Sequence, residues 1–226
     1  MAKLGLIIPA AGSGTRMGAS IPKPFIELCG KPILRHSIEA FLGVEGLVQI
    51  VVATSSEYVE QVRGMLAMLP LNLAVHVVEG GAERQDSIRQ ALNVIAYDVD
   101  VVAIHDAVRP FVQTKHIELC VHAAEEYGAS ILAVPVKDTI KQVSDDSKIQ
   151  GTPDRNSLWQ AQTPQVFEIG LIKQAYDFAK QQGYLGTDDA SLVENMGKPV
   201  HVIEGDRQNF KITYPLDLKL AELLLN

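Results

Sequence analysis

Short apolar runs alternate with longer amphipathic stretches along most of this chain. Runs rich in Val and Ile occur at Leu4 to Pro9, Leu47 to Thr54, Leu73 to Val78, Asp100 to His105 and Ser130 to Val136. They are apolar nearly throughout rather than at every second position, which predicts strands buried on both faces of a parallel sheet. Amphipathic patterns between them predict helices at Pro32 to Leu42, Glu57 to Leu69, Glu83 to Ala96 and Thr114 to Tyr127. Turn signals such as Gly43 and Gly80-Gly81 punctuate the series. Strand and helix in alternation imply right-handed crossovers and an α/β fold, a doubly wound, mostly parallel, Rossmann-like sheet. Ligands of such sheets sit beyond the carboxyl ends of the strands. That rule selects the loops Pro9 to Gly18, Thr54 to Ser56, Glu79 to Arg84, His105 to Phe111 and Val136 to Thr139.

The alternation falters between about Lys137 and Trp159. There VKDTIKQVSDDSKIQGTPDRNSLW holds two short strand-like pieces around a polar Ser-Asp-Asp-Ser turn. This predicts a β-hairpin leaving the main body, either plain surface or a functional arm. After it come a strand near Gln160 to Phe167, a helix near Ile169 to Gln182 and the segment TDDASLVENMG. A strand at Val200 to Glu204 and a closing helix at Pro215 to Leu225 follow. No repeat or linker divides the pattern, so a single domain over residues 1–226 with one protruding arm is expected.

Composition narrows the functional classes. Hydrophobic residues at 47% and charged residues at 21% suit a globular domain, not a disordered one. The net charge of −7 speaks against nucleic acid as a partner, because its phosphates demand clustered Lys and Arg. Cys29 and Cys120 are too isolated for a metal knuckle or a disulfide framework. The beginning MAKLGLIIPAAGSG lacks a signal-peptide pattern, and no apolar stretch reaches about 18 residues. A cytoplasmic protein that leaves membranes alone is expected.

The candidate chemistry begins in the first loop. PAAGSGTRMG, Pro9 to Gly18, follows a buried strand directly, and its small residues let backbone N–H groups approach a polyphosphate. It lacks the Gly-Lys-Ser/Thr ending of a P-loop. It also lacks the spacing of a dinucleotide site, since the second strand begins only at Leu47. Its cations set it apart: Arg16 lies within the loop, and Lys23 follows between Pro22 and Pro24, which restrict the backbone on both sides. Surface lysines are ordinarily just solvated; this one has rigid flanks beside a phosphate-type loop. Elsewhere Ser87 reads as a helix N-cap or a base contact, and Asp106 as a strand-end turn residue or a hard oxygen ligand. Arg109 suits either a surface ion pair or a phosphate.

The ordered motifs PAAGSGTRMG, PKPF, GGAERQDSI, HDAVRPF, PVKDTIK, DRNSLWQAQTPQ, TDDASLVE and FKIT together resemble the 2-C-methyl-D-erythritol 4-phosphate cytidylyltransferase family, nucleotidyltransferases of non-mevalonate isoprenoid synthesis. The resemblance runs essentially end to end. It implies a CTP site made by Ala10, Ala11, Gly12, Ser13, Gly14, Arg16, Lys23, Gly81, Ser87 and Asp106. It further implies that Arg109, Thr139, Arg155, Thr163, Thr187 and Lys211 hold the phosphate of a small polyol, and that Asp106 holds Mg²⁺ or another divalent cation. Family members often carry an acidic residue where this chain has Ala82, so only backbone contact is implied there.

The implied reaction is in-line attack of the acceptor phosphate on the α-phosphorus of CTP. Arg16 and Lys23 would stabilise the transition state, while Arg155 and Lys211 would aim the nucleophile. No general base is required, because a phosphate monoester with a second pKa of about 6 is largely dianionic at neutral pH. His105 is expected to pack at its strand end. The family also implies a homodimer whose arms interlock. The PAAG form of the first loop and PVKDTIK favour this family over the related ribitol 5-phosphate cytidylyltransferases. A non-catalytic nucleotide-binding regulatory protein on the same fold is the reading from another class, and the joint presence of Arg16, Lys23, Asp106 and Lys211 argues against it.

Overall fold

The computed structural model describes residues 2–12 and 21–225. Its centre is a sheet of the strands β1 (Leu4–Pro9), β4 (Leu47–Thr54), β5 (Ala74–Glu79), β6 (Val101–Ile104), β7 (Ala129–Pro135), β10 (Trp159–Glu168) and β11 (His201–Glu204). Their order is β11-β7-β10-β6-β1-β4-β5, and every pairing is parallel except those of β10. β10 is inserted antiparallel between β6 and β7 and carries Gln162, Thr163 and Gln165.

Successive residues of a strand point to opposite faces, and β1 is apolar on both. Leu6 and Ile8 join one buried cluster with α1 (Ile33–Glu39), α2 (Val59–Ala67) and α4 (Thr114–Tyr127). Ile7 faces the other cluster, which also holds Ile88 and Leu92 of α3 (Arg84–Leu92), Ile172 of α5 (Ile169–Gln182) and Leu192 of α6 (Asp189–Asn195). Each such side chain, fully buried, stabilises the fold by about 1.5–3 kcal/mol. The closing helix α7 (Pro215–Leu225) buries only Ala221 fully and packs beside β2 (Glu27–Leu28).

Several expectations are corrected. The run at Leu73 to Val78 is not buried on both faces: as β5 it is an edge strand, and all six residues keep some exposure. The helix expected to reach Ala96 stops at Leu92. Buried Gln49 of β4 takes the backbone beyond it, donating to the Val94 carbonyl and accepting the Ala96 N–H. One polar residue in an apolar run thus ends a helix on a different element. The hairpin of β2 and β3 (Lys31–Pro32) went unread; its turn places Cys29 and Gly30 at φ 48° and 80°.

β8 (Gln142–Val143) and β9 (Ile149–Gly151) pair apart from the main sheet, around the Ser-Asp-Asp-Ser turn. The Val136 N–H donates to the Leu158 carbonyl and closes the base of this arm. Val143 and Ile149 on it are 54% and 65% exposed, so the arm buries little of its own apolar surface. Among the described residues, no helix is long and apolar enough to cross a membrane.

Candidate active site

A pocket of about 330 Å³ opens at the carboxyl ends of β1 and β6, lined by Pro9 to Gly12, Lys23, Gly81 to Arg84, Ser87, Asp106 and Lys211. Its size is that of a small-ligand cleft. One wall is the turn between β5 and α3. A Cβ on Gly80 would lie 2.6 Å from the Ala11 side chain, and one on Gly81 would lie 2.3 Å from that of Asp86. Glycine is therefore required for the turn to close against the first loop. Ser87 lies within α3 rather than capping it, 1% exposed, and stitches the turn: its hydroxyl donates to the Glu83 carbonyl and accepts the Gly81 N–H. The N-cap reading is thereby corrected, and the hydroxyl hydrogen is not available to a base. The oxygen can still accept.

Lys23 begins a 3-10 turn, Lys23–Phe25, after Pro22 in an extended conformation. It is buried at 7% exposure and lines the pocket. Ser13, Gly14 and Arg16 lie outside the described residues.

Asp106 follows β6 and is 7% exposed. Lys211 lies 2.9 Å from one of its oxygens, Arg109 3.4 Å from the same oxygen, and Arg84 3.5 Å from the other. Burial alone would raise its pKa, but the charges of Arg84, Lys211 and Arg109 hold the carboxyl well below the usual range. It is therefore an ionised group in a cationic surround.

A second pocket, about 280 Å³, adjoins the first and is lined by Arg109, Ala161 to Thr163, Gln165, Thr187 and Asp188. Arg84, Asp106 and Lys211 line both pockets and form the wall between them. Four residues expected at an acceptor phosphate thus converge: Arg109, Thr163, Thr187 and Lys211. Thr187 is exposed, and Asp188 after it caps α6. Thr139 and Arg155 do not join them. Both are exposed near the base of the arm, where Arg155 donates to the Lys137 carbonyl. The Thr54 to Ser56 loop lines neither pocket.

Thr163 needs a further correction. His105 is fully buried, with its Nε2 2.9 Å from the Arg109 carbonyl. A carbonyl only accepts, so Nε2 carries the proton and Nδ1 is the acceptor. The Thr163 hydroxyl donates to that Nδ1 and accepts the Asp106 N–H, at 3.0 Å each. Its hydrogen is thus directed into the protein, not toward a phosphate. His105 packs edge-on against Phe41, and burial pushes its pKa down to about 4, keeping it neutral. This matches a packing role at the strand end.

Arg84 and Asp189 are the site residues that sequence reasoning missed. Arg84 opens α3 inside GGAERQDSI, and its Nη2 lies 2.7 Å from Asp189, the first residue of α6. A charged residue directly after a glycine turn was the available signal. Its partner is 105 positions away and left none.

Among the described residues, no group of three or more His, Cys, Asp and Glu could cage a metal. A single ionised carboxylate at the head of a polyphosphate-sized pocket nevertheless suits Mg²⁺, which takes most of its oxygens from phosphates and water. Asp106 fits that form of site.

The chain is similar to known proteins over nearly its whole length. Residues 4–226 match the family described as IspD, 2-C-methyl-D-erythritol 4-phosphate cytidylyltransferase. A protein of that name from Caldanaerobacter subterraneus subsp. tengcongensis is 46% identical over 220 residues, covering 97% of both chains. The crystal structure of 4-diphosphocytidyl-2C-methyl-D-erythritol synthase from Anaerococcus prevotii superposes with a TM-score of 0.88 at 28% identity, covering 99% of this chain and 96% of that one. The cytidylyltransferase structure from Francisella tularensis gives 0.83 at 33% identity, covering 98% and 99%.

Proposed function

The chain belongs to the 2-C-methyl-D-erythritol 4-phosphate cytidylyltransferase family, and on that premise we propose that it transfers the cytidylyl group of CTP to 2-C-methyl-D-erythritol 4-phosphate, releasing pyrophosphate. The observation that carries this reading is the wall of Arg84, Asp106 and Lys211 shared by two adjoining pockets. A nucleotide fills the first, walled by Ala10, Ala11, Gly12, Gly81 and Ser87. The acceptor phosphate fills the second, beside Arg109, Thr187 and Lys211. The two reacting groups then meet across the cations.

A phosphate oxygen of the acceptor attacks the α-phosphorus. The bond from that phosphorus to the bridging oxygen breaks, and pyrophosphate leaves with the electron pair. The dianionic nucleophile needs no base, so the protein contributes orientation and charge stabilisation. Lys23, buried on the nucleotide side, stabilises charge building at the α-phosphate, and Arg16 of the first loop is assigned the same role. Lys211 orients the nucleophile. Mg²⁺, held through Asp106, would neutralise part of the triphosphate charge and polarise its oxygens.

The exposed arm supports a further element. An isolated two-stranded hairpin is marginal in water, and this one carries Arg155 and Thr139 outside both pockets of its own chain. In this reading a two-fold homodimer delivers them to the partner's acceptor pocket, as the family resemblance implied. A cytoplasmic location accords with CTP and a phosphorylated polyol as substrates. The test is pyrophosphate release from CTP against a panel of phosphorylated polyols. Turnover only with methylerythritol 4-phosphate is expected, and preferred turnover of ribitol 5-phosphate would overturn the reading.

A further inference from the structure

The three cations around Asp106 are not equally free to leave it. Lys211 keeps 39% of its side chain exposed and reaches Asp106 at 2.9 Å. Arg109 is tied at Nη1 to the Asn209 carbonyl, 2.7 Å away. Arg84 is held from behind: its closest ion pair, at 2.7 Å, is with Asp189, and Asp106 lies beyond at 3.5 Å. Asp189 is itself fixed. It is 1% exposed, its other oxygen accepts the buried Tyr176 hydroxyl, and its N–H donates to Gln165.

A phosphate dianion entering the second pocket competes with Asp106 for Lys211. Removing the nearest cation from a buried carboxylate is strongly unfavourable unless another counter-charge stays. Arg84 cannot follow the phosphate, because Asp189 anchors its guanidinium. We propose that Arg84 is a positioning residue acting through Asp106: a stationary counter-charge, backed by Asp189, that keeps Asp106 paired while the acceptor phosphate takes Lys211. The inference rests on the second pocket being the acceptor site.

The experiment is calorimetric binding of methylerythritol 4-phosphate, with a saturating α,β-methylene analogue of CTP and no divalent cation present, so that no transfer occurs and no metal ion on Asp106 replaces the charge of Arg84. Wild type, Arg84→Met, Asp106→Asn and the double variant are compared. Arg84→Met should weaken acceptor binding on the order of tenfold. In the Asp106→Asn background the same change should shift binding by less than about twofold, because the charge that Arg84 serves is gone. Arg84→Lys, which keeps a cation for Asp189 and is safer for folding, should show the same dependence on Asp106 with a smaller loss. Equal losses in both backgrounds would mean that Arg84 grips the phosphate directly and would overturn the proposal, as would unchanged binding in folded Arg84→Met or Arg84→Lys. Failure of wild type to bind the acceptor would overturn the reading of the pocket as well.

Discussion

The Lys211 ammonium lies 2.9 Å from an Asp106 carboxylate oxygen, within the wall that the two adjoining pockets share. Asp106 is buried and the lysine serves as its counter-ion; under the proposed function the same lysine orients the nucleophile. Lys211→Met should therefore lower kcat/KM for the acceptor on the order of a hundredfold, the scale of losing one charge-stabilising donor. The KM for CTP should change far less. Steady-state kinetics with each substrate varied in turn checks this, and a defect confined to CTP would contradict it.

Base choice follows from the committed hydrogen of Ser87. Its hydroxyl donates to Glu83, so it offers a base only a lone pair. The amino group of cytosine can donate to that lone pair, whereas the carbonyl of uracil cannot. UTP should lose on the order of a hundredfold or more in kcat/KM, from a buried group left unpaired. Ser87→Ala should narrow the ratio and also loosen the Gly81 turn. Equal kcat/KM for UTP and CTP in the wild-type enzyme would refute this assignment.

The arm can be tested by complementation. Lys23→Ala and Arg155→Ala proteins are each expected to be inactive alone. If Arg155 acts in the partner's site, a mixed dimer holds one intact site and one doubly damaged site. Equal mixing with free subunit exchange should then restore roughly a quarter of wild-type activity. If Arg155 serves its own chain, every site keeps a lesion and activity stays absent.

Acid should destabilise the fold through two neighbours. The sign for His105 follows from burial, which lowers its pKa from 6.5 to about 4. The folded chain therefore resists a proton that the unfolded chain accepts, and stability present above pH 6.5 is lost as pH falls toward about 4. The loss from this group is on the order of 3–4 kcal/mol, at about 1.4 kcal/mol per unit. Asp106 acts in the same direction, because its lowered pKa gives stability that fades as pH drops below the ordinary carboxylate range. Melting temperatures should hold from pH 8 to about pH 6.5 and fall from there to pH 4, and His105→Gln should flatten that fall, with the Asp106 share lost only at still lower pH. A flat wild-type profile would contradict the burial of neutral His105.

The sequence by itself determined the parts that depend on local periodicity. β1, β4, α4, α5 and α7 run over the residues that their apolar patterns predicted. A strand buried on both faces or a helix with one apolar stripe carries its signature in consecutive residues. The glycine turn at Gly80-Gly81 and the position of Asp106 after a strand were legible for the same reason. Tertiary structure alone decided that β10 enters antiparallel between β6 and β7, which brings Thr163 and Gln165 into the site. It alone joined Arg84 to Asp189 and turned the hydroxyls of Ser87 and Thr163 inward. A buried charge or hydroxyl must find a partner wherever packing supplies one. That partner is chosen by proximity in the folded core, not by distance along the chain.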